Sequence, residues 1–137
     1  MSIGFGAHAN RILEDEETVI YEYGSFNWND PKYYNEERIL DGLITIQKEC
    51  FIEPEINEKL KRMPSGRRRL VKRRVPRNVE FRKLLKEGLI KIDNCSNCWQ
   101  VTENELAVDI MAYRLLFCIF RDYQKEGKIP EIIDVAF

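Results

Sequence analysis

The sequence predicts an α+β domain, an antiparallel sheet of about four to six strands packed against one long C-terminal helix with two shorter helices at its border. Three observations carry this. Strand-like segments near the N-terminus are separated by short polar turns that permit hairpins. A long run near the C-terminus is apolar at helical spacing, with marked ends. No strand–helix–strand alternation of the kind that builds a doubly wound sheet is present. The 137 residues suit a single domain, 1–137, able to bury about two-thirds of its unfolded surface.

Ser2–Leu13 and Thr18–Tyr23 favour strands, and the acidic stretch Glu14–Glu17 between them reverses the chain. In the second segment Val19, Tyr21 and Tyr23 alternate with Ile20 and Glu22, giving one apolar face. A polar, aromatic loop opens at Asn27-Trp28-Asn29-Asp30-Pro31 and runs to about Asn35, after which Leu43–Ile52 returns to strand composition. Pro54 begins a predicted short helix in which Ile56, Leu60 and Met63 recur at i, i+4 and i+7, and Pro64-Ser65-Gly66 stops it. Arg67–Val75 fits neither periodicity cleanly and reads as a basic strand or extended arm. A second short helix, capped by Asn78, carries Phe81, Leu84 and Leu85 on one face and ends before Gly88.

Leu89–Ile92 and Trp99–Val101 flank the turn-rich Asp93–Cys98 and predict a second hairpin. The long helix is expected over Glu103–Glu126, because Thr102 and Glu105 form a capping-box pattern and Gly127 ends the run. Leu106, Ile110, Tyr113, Phe117 and Phe120 form its apolar stripe, widened by Met111, Leu115, Leu116, Cys118 and Ile119 until the helix is nearly surrounded by protein. Ile132–Phe137 is strand-like and suits a sheet edge.

A net charge of −1 conceals a charge-segregated chain. Of 22 Lys and Arg residues, 13 lie in Lys59–Lys86, where Glu80 is the one acid, net +12; the other 109 residues sum to −13. The first 58 residues alone carry 4 basic and 13 acidic side chains. Clustered cations suit nucleic acid, an acidic protein or a membrane surface, with internal compensation by the acidic half as the bland explanation. The N-terminus lacks a basic n-region and an apolar h-region, and no run is long enough to span a bilayer, so the expectation is a soluble, cytoplasmic protein with reduced thiols.

Few residues support catalysis. Cys95-x-x-Cys98 has the spacing of half a zinc site, yet Cys50, Cys118 and His8 do not form a second ligand pair; two ordinary cysteines on a turn, with structural zinc as the alternative, is the reading. His8, the single histidine, has no neighbouring nucleophile signature, and Gly4-x-Gly6 lacks the third glycine and helix start of a dinucleotide site. No cofactor is expected and the chain reads as non-enzymatic. The favoured function is a small protein-binding module, an inhibitor or immunity-type protein that neutralises a partner toxin or enzyme through charge complementarity. One candidate surface combines Trp28, Asp30, Tyr34, Glu36 and Glu37, and the other Arg67, Arg68, Arg69, Lys72, Arg73 and Arg74. The alternative is a nucleic-acid-binding or regulatory protein that sets the basic segment 67–74 on phosphates.

Overall fold

In the computed structural model, which describes residues 4–103 and 106–137, the elements run β1 (Phe5–Glu14), β2 (Thr18–Asn27), β3 (Gly42–Gln47), β4 (Glu55–Arg62), β5 (Arg68–Val75), α1 (Phe81–Lys86), β6 (Ile90–Asp93), α2 (Ile110–Glu126) and β7 (Ile132–Ala136). Five strands form one antiparallel sheet in the order β6-β3-β2-β1-β7. Strands β4 and β5 pair with each other in a separate two-stranded ribbon. The architecture is therefore α+β, as the hairpin signals and the apolar C-terminal run predict.

The first hairpin forms as expected because Asp15 builds its turn. Its carboxylate accepts from the backbone N–H of Glu17 at 2.8 Å and of Thr18 at 2.7 Å. These two bonds hold the Asp15 carboxyl below its ordinary pKa. The alternation read in β2 also holds: Val19, Tyr21 and Tyr23 are fully buried and face α2, together with Ala7 and Ala9 of β1, Ile44 and Ile46 of β3, Ile90 of β6 and Ile133 of β7. From α2 come Met111, Ala112, Leu115, Leu116, Ile119 and Phe120. Each large aliphatic side chain so buried contributes about 1.5–3 kcal/mol. The small Ala7 and Ala9 leave room for the helix. Strand β7 lies at the sheet edge beside β1, as its composition predicts.

Several expectations are corrected. The predicted helix after Pro54 is strand β4, and among the described residues α2 is the one helix of seven or more residues, not the longest of three. The spacing from Ile56 to Leu60 is four residues, a multiple of the strand period and close to the helical one, so it does not discriminate. The ladder with β5 settles the matter, and Pro64-Ser65-Gly66 lies in the turn between the strands, with Gly66 at φ 82°. The short helix α1 has six residues and Glu80, not Asn78, at its N-cap position; Gly88 does adopt the expected left-handed conformation at φ 76°.

Strand β6 pairs with β3 rather than with Trp99–Val101, whose one bridge joins Val101 to Asp109. Asn97 explains why no second hairpin closes: its side-chain amide donates to the carbonyls of Ser25 at 2.8 Å and Tyr33 at 3.0 Å, folding the turn back over β2. Helix α2 starts at Ile110, seven residues later than predicted. Asp109 caps it by accepting from Met111 N–H at 2.9 Å, and Ala107 at φ 46° interrupts any earlier helix. Of the predicted capping box, Glu105 lies outside the described residues, while Thr102 Oγ1 accepts from Val108 N–H at 3.2 Å. Gly127 ends α2 at φ 75°, as expected.

The predicted apolar stripe also rotates. Met111, Leu115 and Ile119 are buried with their neighbours, whereas Phe117 is 56% exposed and Tyr113 half-buried. A helix on a single sheet is covered on one side, so the apolar residues beyond that side remain outside. No helix among the described residues is long and apolar enough to cross a membrane.

Gly42 is a close-approach glycine, because a Cβ there would overlap the fully buried Tyr23 ring. Gly42→Ala is expected to destabilise the fold by about 1–3 kcal/mol, the usual cost of overpacking, as measured by urea denaturation.

Candidate functional site

The basic segment stands away from the sheet and helix. Apart from half-buried Val75, every residue of β4 and β5 is exposed. Glu55–Val75 carries nine basic and two acidic side chains, net +7. Successive side chains on a strand point to opposite faces and cross-strand partners share a face. The register Lys61↔Arg69 and Arg62↔Arg68 therefore sets Arg62, Arg68, Lys72 and Arg74 on one face and Lys59, Lys61, Arg69 and Arg73 on the other. Arg67 precedes β5 in the turn. Ile56, Leu60 and Leu70 add apolar surface to the first face, and Val71 to the second.

The acidic half does not cover this ribbon. Lys72 pairs with Glu58 of its own hairpin at 3.6 Å, between two exposed groups, so the pair contributes little stability. Arg74 fastens the ribbon base by donating from Nη1 to the carbonyls of Lys125 at 3.1 Å and Gln124 at 3.5 Å, at the negative end of the α2 dipole. Beyond it, Gln124 clamps the chain from both sides: its Oε1 accepts from Arg77 N–H at 2.6 Å and its Nε2 donates to Arg77 O at 3.0 Å.

The structure brings together three of the five residues of the second candidate surface. Trp28, Tyr34 and Glu36 line an open cleft of about 660 Å³ together with His8, Phe26, Asn35, Arg38 and Ala136. Asp30 accepts instead from Lys32 N–H at 3.1 Å and caps a 3₁₀ turn over Pro31–Tyr33, and Glu37 is exposed outside the lining. His8 stacks on Phe26 at 5.5 Å, Phe26 packs against Trp28 at 5.0 Å, and His8 Nδ1 pairs with Asp134 Oδ1. Trp28 is 61% exposed. Sequence reasoning does not join His8, Arg38 and Asp134 to this surface; β1–β2 and β1–β7 pairing brings His8 and Asp134 to it, and a period-of-two reading of β1 is the available signal. Trp99 belongs elsewhere, edge-on to Phe5 at 5.2 Å.

Cys95 and Cys98 flank a turn, as the sequence suggests, and Cys95 reaches into a buried polar knot. Asp109 is fully buried. Its Oδ2 accepts from Tyr23 Oη at 3.0 Å and from Cys95 Sγ at 3.5 Å, Tyr23 Oη accepts from Cys95 N–H at 3.0 Å, and the Cys98 thiol donates to Gln100 O at 3.7 Å. Among the described residues, no group of three or more His, Cys, Asp or Glu side chains is arranged to hold a metal ion. Burial pushes the Cys98 thiol up to about 11 and raises that of Cys95, which disfavours the thiolate of both. Burial also raises the Asp109 carboxyl above its ordinary range, against the hydrogen bonds from Met111, Tyr23 and Cys95 that favour the ionised form.

Comparisons with protein-family models, curated proteins and solved structures find no match, so the functional reading rests on this geometry.

The folded state holds the Asp109 proton more tightly than the unfolded chain does. Its ionisation therefore costs stability as pH rises above the ordinary carboxylate range and through the raised folded value. Asp109→Asn removes that titration while leaving an acceptor for Met111 N–H. Thermal melts of both proteins from pH 4 to pH 8 are expected to show the variant gaining on the wild type by a few degrees as pH rises; a difference independent of pH would contradict this ionisation.

Proposed function

We propose that this chain is a non-catalytic nucleic-acid-binding protein that lays the β4–β5 ribbon into a groove of a double helix. The observation that carries the reading is that an exposed ribbon projects cations from both faces, Arg62, Arg68 and Lys72 from one and Lys59, Lys61, Arg69 and Arg73 from the other, with Arg74 holding its base to α2. A flat protein surface would engage the cations of one face and leave those of the other unpaired. A groove presents phosphates on both walls, and the major groove, about 12 Å wide, admits a two-stranded ribbon. Eight residues per strand span roughly 26 Å at about 3.3 Å each, several base pairs of contact. The acidic body, net −8 without the ribbon, orients the arm toward the polyanion and keeps the remainder of the molecule off it.

A second reading, an inhibitor or immunity-type protein, is favoured by the cleft at Trp28, where exposed aromatic surface beside Glu36 suits a basic side chain of a protein partner. Co-purification from the native host separates the two: a stoichiometric protein bound without nucleic acid supports the second.

Binding of a 20-base-pair duplex, followed by fluorescence anisotropy between 50 and 200 mM salt, is expected to weaken linearly on logarithmic axes, by roughly 10³-fold or more if six or more phosphates are engaged. Replacing Arg68, Arg69, Lys72 and Arg73 by Gln is expected to lower the slope by roughly 0.9 for each phosphate no longer engaged. Absence of binding at 50 mM salt rules the proposal out.

A further inference from the structure

At the base of the ribbon, where Arg74 and Arg77 join the arm to α2, a groove of about 320 Å³ opens between Pro76–Val79 and the outer side of α2. Its floor is aromatic. Phe81 meets Phe120 edge-on at 5.1 Å and Tyr113 edge-on at 5.7 Å, so the rings are locked against one another. Phe117 stands at the rim with more than half its surface exposed, on the side of α2 that the sheet does not cover. Arg77 and Arg121 line the same groove. The charge is not uniformly positive: Arg121 lies 3.4 Å from Asp122, a local pair between partly exposed groups that a bound phosphate can displace. The wall is fixed in advance, because the buried Gln124 amide spends its donor and acceptor on the Arg77 backbone.

A narrow slot with an aromatic rim, flanked by guanidinium groups and continuous with a polycationic arm, has the parts of a site for an unpaired nucleotide. The base stacks on the ring and the backbone phosphate meets the cations. The volume is near the lower end of small-ligand sites, about 300 Å³, room for one base and not for a helix. We infer that the groove bounded by Pro76, Arg77, Phe117 and Arg121 binds one unpaired nucleotide next to the duplex held by the ribbon, which makes a duplex with a single-stranded extension the substrate class. This inference rests on the nucleic-acid reading of the ribbon. An acidic peptide with an apolar anchor is the competing occupant, and the two-faced charge of the adjoining arm favours nucleic acid over it.

The test uses the full chain and fluorescein-labelled probes with equal numbers of phosphates, one blunt and one carrying a four-nucleotide overhang, each made in DNA and in RNA. The overhang probe in at least one of the two chemistries is expected to bind about fivefold or more tightly than its blunt counterpart, the effect of one stacked base. Phe117→Ala, at an exposed position that leaves the core intact, is expected to abolish that preference without changing affinity for the blunt probe. Equal affinity of blunt and overhang probes for the wild type overturns the inference while leaving the ribbon reading in place, as does a preference that survives Phe117→Ala. Displacement of the overhang probe by poly-glutamate as readily as by unlabelled probe of equal charge overturns it in favour of an acidic polypeptide. Failure of every probe to bind at 50 mM salt removes the ribbon reading and this one together.

Discussion

A carboxylate held out of water at the head of the long helix sets the geometry around it. Asp109 fixes where α2 begins, since its Oδ1 takes the first free N–H, and fixes where α2 lies on the sheet, since its Oδ2 takes the Tyr23 hydroxyl. Tyr23 occupies the middle of β2, the central strand of five. A buried polar group is costly unless its hydrogen bonds are kept, so the helix has little freedom to slide or turn relative to β2. The same knot draws Cys95 inward and brings the 94–98 segment onto the sheet. It also determines which side of α2 is covered, and hence that Phe117 faces outward.

The ribbon follows from a different constraint. Strands β4 and β5 are exposed almost throughout and bury no face against the sheet or α2. They are held by their own ladder and, at one end, by Arg74 on the last carbonyls of α2. Lys and Arg along both faces also protect two open edges against pairing with other strands. The charges that guard the edges are thus the same ones the proposed docking would use.

Where the core determines local structure, the sequence is readable. The Val19–Tyr21–Tyr23 alternation, the edge strand at Ile132 and the Gly127 terminus each report a residue in contact with the protein interior or a backbone that only glycine enters cheaply. The failures lie where that pressure is absent. Ile56 and Leu60 have no interior to face, so their spacing carries no information about helix or strand. Just ahead of α2, the N–H groups of Val108 and Asp109 go to Thr102 Oγ1 and Asn94 Oδ1, and these side-chain bonds override a helix-compatible sequence. Of the candidate surfaces, the positive arm is visible in the charge count alone. That its charges divide between two faces depends on register with β4, and that His8 and Asp134 reach Trp28 depends on pairing across 126 positions of sequence, neither of which local pattern encodes.

The ladder that holds the arm together also opposes itself. Lys61 faces Arg69 and Arg62 faces Arg68, like charges in directly opposed pairs that weaken a hairpin. A two-stranded hairpin with no buried face is marginal in water to begin with. Any polyanion that settles along the strands removes this repulsion as it binds. Docking and the closing of the β4–β5 ladder are then one coupled equilibrium, in which ionic strength acts twice: it screens the strands from each other in the free protein and competes for them in the complex.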